Sequence, residues 1–398
     1  MHEPRKLLTF EFLGLCVVIF LAFCNVTVFY NLFHYLETLG IPADLRGLVV
    51  GSYSLTAMLL YLLVSPFLTP ANATRAMLLG IAVVTLCGVS YLFVYSFWGL
   101  LGLRIINGFG QFLMSAGAMT LFVSVIPKER SGQAFAIYSV AILLPFAAVP
   151  AVMDSLVFLI PTPPHGYAGA TVTLIPAVWI VLHIRRRRLK QSGITEIKHL
   201  PAWSDIRANV TQLVTQLPIA LLLLLNAIYI INWSSMFFLI KGFADEQGII
   251  NVGSFFAVQT GLMIAFRLLG GRFFDVFDKA RVVVATFVVI AIGHLALDNL
   301  PGAWAISLVA IIFGVGMGMG QPAFHGLMFE VSPPRFRPLN ANLILFATQT
   351  GFFLGPVLGG ALVARWGYHG YFLFSMGLAL AAAFIGILLA GKRQKYPA

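Results

Sequence analysis

The chain alternates long apolar runs with short polar breaks. The runs number twelve: 10–36, 47–68, 76–94, 98–126, 134–160, 167–184, 217–240, 251–270, 282–297, 303–329, 340–364 and 368–391. A helix needs roughly 20 apolar residues to cross about 30 Å of hydrocarbon, and helices satisfy their own backbone hydrogen bonds along such runs. The pattern therefore predicts an all-α membrane protein with twelve transmembrane helices. The last six runs repeat the first six at an offset of 206 residues: Gly47 matches Gly253, Arg75 matches Arg281, Gly108 and Gly110 match Gly314 and Gly316, Pro127 matches Pro333, and Pro150 matches Pro356. Two pseudo-symmetric six-helix bundles follow, over 1–184 and 217–398, joined by a linker over 185–216. A duplicated six-span unit is the expected plan of a carrier whose halves rock about a central site.

Composition supports this reading. Of 398 residues 60% are hydrophobic and 10% charged, and the mean hydropathy is +0.93, which excludes a soluble globular domain. The net charge of +11 is a topology signal, so no nucleic-acid partner is implied. With a cytoplasmic N-terminus, 20 of the 25 Lys and Arg fall on the cytoplasmic side; Arg46, Lys241 and Arg365 fall outside, and Arg104 and Arg267 lie within spans. Both termini and the linker, which opens with Arg185, Arg186, Arg187 and Arg188, are expected in the cytoplasm. The linker reads as a solvated loop, with a seat on anionic headgroups as the alternative. The first run is too long for a signal peptide and has no small-residue cleavage site, so it is expected to stay as a span. Cys16, Cys24 and Cys87 lie singly in spans and offer neither a disulfide framework nor metal-ligand spacing. No nucleophile–base pair or phosphate cradle is present, and neither an enzyme nor a cofactor is expected.

Three motifs carry a family resemblance. Between runs 8 and 9 the chain reads Gly271-Arg-Phe-Phe-Asp275-Val-Phe-Asp278-Lys279-Ala-Arg281, where the first half has Ser65 and Thr69 in place of Gly271 and Asp275. Run 11 holds Gly351-Phe-Phe-Leu-Gly355-Pro356-Val-Leu-Gly359-Gly360, and its partner in run 5 keeps only Pro150 in register. Run 4 holds Arg104-Ile-Ile-Asn107-Gly108-Phe-Gly110-Gln111. These resemble the loop signature, the Gly-rich helix and the Arg-bearing fourth span of the major facilitator superfamily, with most likeness to its small-molecule efflux branch of sugar-efflux and multidrug exporters. The resemblance implies alternating access without cofactors in a bacterial inner membrane, by an antiporter acting as a monomer. It also implies a charge network that shuts the cytoplasmic face. Its acids are Asp275 and Glu330, with Arg281 and Arg337 as basic members, while the first half has Thr69 and Ser124 where the acids would stand.

A charge in mid-membrane costs about 2.5–3.5 kcal/mol on insertion scales, so polar residues in spans need reasons. Arg104, Asn107, Gln111 and Ser115 share one helix face in run 4, and that face should look into protein or water. Thr27, Tyr30, Asn31 and His34 share a face in run 1. Run 7 offers Asn226, Tyr229 and Trp233, run 10 Gln321 and His325, and runs 8 and 11 Gln259 and Gln349. The candidate solute-binding set is Asn31, His34, Arg104, Asn107, Gln111, Tyr229, Trp233, Gln259, Gln321 and Gln349. For each amide, interhelical packing is the equal alternative. Histidine titrates near physiological pH, which makes His34 and His325 the proton-coupling candidates. His294, four residues before Asp298, reads as half of an interfacial pair. The sum is a secondary transporter of a small neutral, zwitterionic or amphipathic solute, with proton-coupled efflux favoured. A facilitator or importer of organic anions is the nearer alternative, and a non-transporting receptor or scaffold the more distant one.

Overall fold

A computed structural model describes residues 8–126, 131–156, 158–191, 216–249, 252–269, 277–299, 302–332 and 337–392. Each predicted run has its helix. They are α1 (Phe10–Thr38, with a 3-10 turn at Val28–Asn31), α2 (Ala43–Leu63), α3 (Ala73–Ser90), α4 (Phe97–Val125), α5 (Ser131–Ser155) and α6 (Pro163–Ala170, continued by Leu174–Gln191). The second half has α7 (Leu217–Glu246), α8 (Gly253–Leu269), α9 (Lys279–Asn299) and α10 (Ala303–Val331). Within Arg337–Lys392 the chain turns at Gly367, whose φ of 64° suits glycine, leaving α11 before it and α12 after it. Among the described residues nine stretches are long and apolar enough to cross a membrane; one of them holds both α11 and α12, and α8 is a shorter apolar helix.

Side chains close the helix starts. Thr9 accepts from the Phe12 N–H and Ser96 from the Gly99 N–H. Asp278 Oδ1 accepts from the Ala280 and Arg281 N–H groups, both at 3.1 Å, so this acid of the signature loop caps α9.

The duplication persists in the packing. A Cβ on Gly110 of α4 would lie 2.9 Å from Val83 and 3.0 Å from Val84 of α3; one on Gly316 of α10 would lie 3.2 Å from Val289 and 3.4 Å from Ile290 of α9. Val83 and Val84 stand 206 residues before Val289 and Ile290. The same small-residue contact is thus built twice, by the mechanism that lets membrane helices approach.

The chain forms two compact units, Met1–Phe29 with Leu59–Leu200, and Tyr30–Met58 with Pro201–Ala398. The first has a core of Phe12, Leu15, Ile19, Met77, Ile81, Met114, Phe122, Tyr138 and Leu174 from α1, α3, α4, α5 and α6. In the second, Gly351, Gly355 and Gly359 bring α11 onto α7: a Cβ at Gly351 would meet the Ala227 carbonyl at 2.7 Å, and one at Gly355 the Ile231 carbonyl at 2.9 Å. Segment 30–58 belongs to this second unit because α2 meets α11 glycine to backbone. A Cβ at Gly47 would strike the Pro356 carbonyl and lie 2.9 Å from Val357 Cα, and one at Gly51 would lie 2.6 Å from the Phe353 carbonyl. The unit boundary therefore does not follow the repeat boundary.

Candidate functional site

In the first unit the polar face of α4 is buried as a stripe, with Arg104, Asn107 and Gln111 each at most 5% exposed. Gln111 Nε2 donates to Ser115 Oγ at 3.1 Å, one turn along. The Arg104 guanidinium lies 4.6 Å from the ring centroid of Phe29. Phe29 in turn packs on Tyr91 and Tyr167 at 5.1 and 4.4 Å between centroids. The ring quadrupole attracts the cation, and without competing water the attraction reaches about 2 kcal/mol. Arg104 is therefore stacked on a buried aromatic cluster, an arrangement that residue spacing does not announce.

Asn31 and His34 lie in the second unit. Asn31 closes the 3-10 turn of α1, which breaks the α-helical phase assumed by the Thr27, Tyr30, Asn31, His34 face. His34 stands between two carboxylates, with Nδ1 3.5 Å from Glu37 and Nε2 3.4 Å from Asp245. Glu37 also pairs with Arg46 at 3.2 Å, and Asp245 with Lys241 at 3.1 Å. The ends of α1 and α7 and the start of α2 thus share a chain of alternating basic and acidic side chains. Sequence reasoning missed it, although His34/Glu37 and Lys241/Asp245 are neighbours at helical spacing.

Along α7, Asn226 donates to Thr348 Oγ1 at 3.0 Å, and the buried Tyr229 hydroxyl donates to the Met317 carbonyl at 2.6 Å. Both residues tie helices together. Trp233 packs on Phe352 at 5.4 Å. The Nε2 of Gln259 in α8 is buried with no hydrogen-bond partner among the described residues. Gln321 and His325 meet at 2.9 Å, one turn apart on α10, and Gln349 of α11 is half-buried. His294 does not pair with Asp298; its Nε2 meets Asn232 Oδ1 at 3.0 Å, while Asp298 holds His369 at 2.6 Å. A buried imidazole takes a neutral amide more cheaply than a charge, and Asp298 is met instead by the exposed His369, just past the α11–α12 turn.

Of the four gating candidates, Asp275 lies outside the described residues and so does the side chain of Arg337. Glu330 pairs with Lys279 at 2.7 Å, while Arg281 is exposed at the start of α9. The corresponding places in the first half are held by neutral groups. Asn72 accepts from the Thr69 N–H at 2.8 Å and donates to the Phe67 carbonyl at 2.9 Å, and Arg188 donates to Ser124 at 3.1 Å.

The family model described as Major Facilitator Superfamily matches residues 15–275 and again 222–398. The chain belongs to the Major Facilitator Superfamily. It is a multi-pass membrane protein and a secondary transporter, not an enzyme, with a small-molecule solute as its partner. It is 22% identical over 340 residues to the quinolone resistance protein NorA of Staphylococcus aureus, covering 82% of this chain and 83% of that one. It is 22% identical over 300 residues to the multi-drug resistance efflux pump PmrA of Streptococcus pneumoniae, covering 73% and 71%. Among solved structures, a bacterial homolog of the human lysosomal transporter Spinster superposes with a TM-score of 0.78 over 100% of both chains at 14% identity, which speaks for the fold alone.

Proposed function

We propose that this transporter exports an amphipathic organic solute across a bacterial cytoplasmic membrane in exchange for protons, as a monomer with both termini in the cytoplasm. The observation that carries the reading is the likeness, across most of the chain, to two proteins whose names mark them as drug-efflux and resistance proteins. The physical makeup agrees. The side chains assigned below to the solute are amides, an indole ring and an imidazole, which suits a solute with large apolar area and few charges. In this reading Asn31, His34, Asn107, Gln111, Trp233, Gln259, Gln321 and Gln349 contact the solute, while Arg104 and Tyr229 hold the walls. His34 and His325 carry the exchanged proton. A protonated and a neutral imidazole favour different conformations, and the gradient works only through that difference. Asp275, Glu330, Arg281 and Arg337 act at the cytoplasmic gate.

The test is transport by the purified protein in liposomes. With an imposed pH gradient, ethidium or a quinolone should move against its concentration difference faster than in protein-free liposomes, and collapsing the gradient with an ionophore should remove the difference. Transport that ignores the gradient, with counterflow intact, would favour the facilitator.

A further inference from the structure

Two arginines, Arg104 and Arg267, fall within the apolar runs and to neither side of them, and only one is accounted for. Arg104 is stacked on Phe29. Arg267 sits in the last turn of α8, and its Nε is buried with no hydrogen-bond partner among the described residues. A buried guanidinium N–H left without an acceptor is costly, and such a cost is tolerated where a ligand supplies the acceptor.

The neighbours of Arg267 follow from the contact of α8 with α10. A Cβ on Gly314 would lie 3.0 Å from the Gln259 carbonyl, and one on Gly318 would lie 3.2 Å from Met263 Cα. Both numbers rise by four, so the helices run parallel there, and the next step sets Arg267 level with residue 322. Positions 314, 318, 321 and 325 follow one stripe of α10. Gln321 and His325 therefore continue the glycine stripe to the level of Arg267. Beyond the glycines the stripe opens, with Gln321 half-buried and His325 exposed. The Gln321 amide donates to His325 Nε2 at 2.9 Å, which leaves the ring proton on Nδ1. Farther along α10, Glu330 is paired with Lys279 at 2.7 Å.

We propose that Arg267, Gln321 and His325 form a binding site for the carboxylate of a small organic anion. The geometry offers three kinds of N–H donor together, and a planar guanidinium takes a carboxylate in its fork. The inference rests on the transporter reading above and adds the solute's charge and the place where it is held. An anionic lipid headgroup carries similar charge, and the test separates the two.

Purified full-length protein in neutral detergent is titrated with benzoate, salicylate and a carboxylate-bearing quinolone, each beside its neutral carboxamide, with thermal unfolding as the readout. Carboxylates should stabilise the protein and amides should not. Arg267→Gln should weaken the response about ten- to a hundredfold, with part of it kept in Arg267→Lys. If Arg267→Gln does not fold, Arg267→Lys and Gln321→Leu carry the comparison. An equal response in wild type and variants, amides as effective as carboxylates, stabilisation by phosphatidylglycerol alone, or no response to any carboxylate would each overturn the site. Ethidium transport by the wild type separates this from the exporter reading. Intact transport without carboxylate binding rejects the anion site alone; Arg267-dependent binding without gradient-driven transport rejects the exporter alone.

Discussion

Gly47→Ala adds one methyl group where α2 crosses α11, and the structure leaves no room for it. The new Cβ would strike the Pro356 carbonyl and lie 2.8 Å from its carbon and 2.9 Å from Val357 Cα. These are backbone atoms and cannot rotate away, so the helices must separate by roughly an ångström to restore ordinary contact near 3.4–4.0 Å. Separation also loosens the neighbouring approaches at Gly51 and Gly360, where the closest atoms are the Phe353 and Ala43 carbonyls, each at 2.6 Å. Overpacking of this kind costs about 1–3 kcal/mol, against a helix-propensity gain of about 0.8–1 kcal/mol for Ala over Gly. The net expectation is a loss of up to about 2 kcal/mol. Gly102→Ala supplies the control, because a Cβ there meets nothing within 4 Å; it should be neutral or mildly stabilising. Thermal inactivation in detergent, followed as loss of the monodisperse peak after heating, ranks the two. Gly47→Ala surviving as well as Gly102→Ala would refute the close approach.

Arg104→Lys keeps the charge but loses the guanidinium that lies over the Phe29 ring, so it should lower thermal stability by about 1 kcal/mol while leaving carboxylate binding unchanged; Phe29→Leu should match it in a thermal ramp. The half-buried Lys279–Glu330 pair should show a coupling of about 1 kcal/mol in a double-mutant cycle of Lys279→Met and Glu330→Gln, whereas Arg281→Ala, exposed at the same helix start, should show no coupling to Glu330→Gln. A cysteine at Ser192, in a protein whose Cys16, Cys24 and Cys87 are serine, should react with an impermeant maleimide only from the cytoplasmic side; periplasmic labelling would reverse the orientation. Replacing His34 and His325 together by Gln should abolish acceleration by a pH gradient yet leave counterflow, and gradient-driven transport that persists would send the search for the proton carrier to Glu37 and Asp245.

The helices were legible because hydrocarbon imposes one requirement on every residue of a span, and the duplication was legible because the same small residues recur in register. Gly110 and Gly316 show both effects at once, each meeting the equivalent pair of neighbours. The polar sites were less legible. A helix face can be read from spacing, and the α4 stripe is buried as one face. The partner of that face cannot be read, because Phe29 is 75 residues from Arg104 and ordinary aromatic residues carry no mark of a cation above them. His294 illustrates the same limit: Asp298 is its neighbour in sequence, yet Asn232 on another helix receives it. Even a local rule fails where the helix changes form, as the 3-10 turn at Val28–Asn31 does to the face of α1.

The halves keep the shared packing and differ in how their loops are held. In the second half Asp278 caps α9 and Lys279 pairs with Glu330. In the first, Asn72 closes the turn at Thr69 with two neutral hydrogen bonds and Arg188 reaches the hydroxyl of Ser124. Hydrogen bonds within a loop hold its shape without long-range charge, while a partly buried ion pair resists separation over a longer distance. A carrier built this way concentrates its sensitivity to charge in one half. The same half contains Arg267, whose Nε has no hydrogen-bond partner among the described residues, and the Lys241–Asp245 pair of α7, so substitutions of charged side chains there should disturb transport more than substitutions at the matching places of the first half.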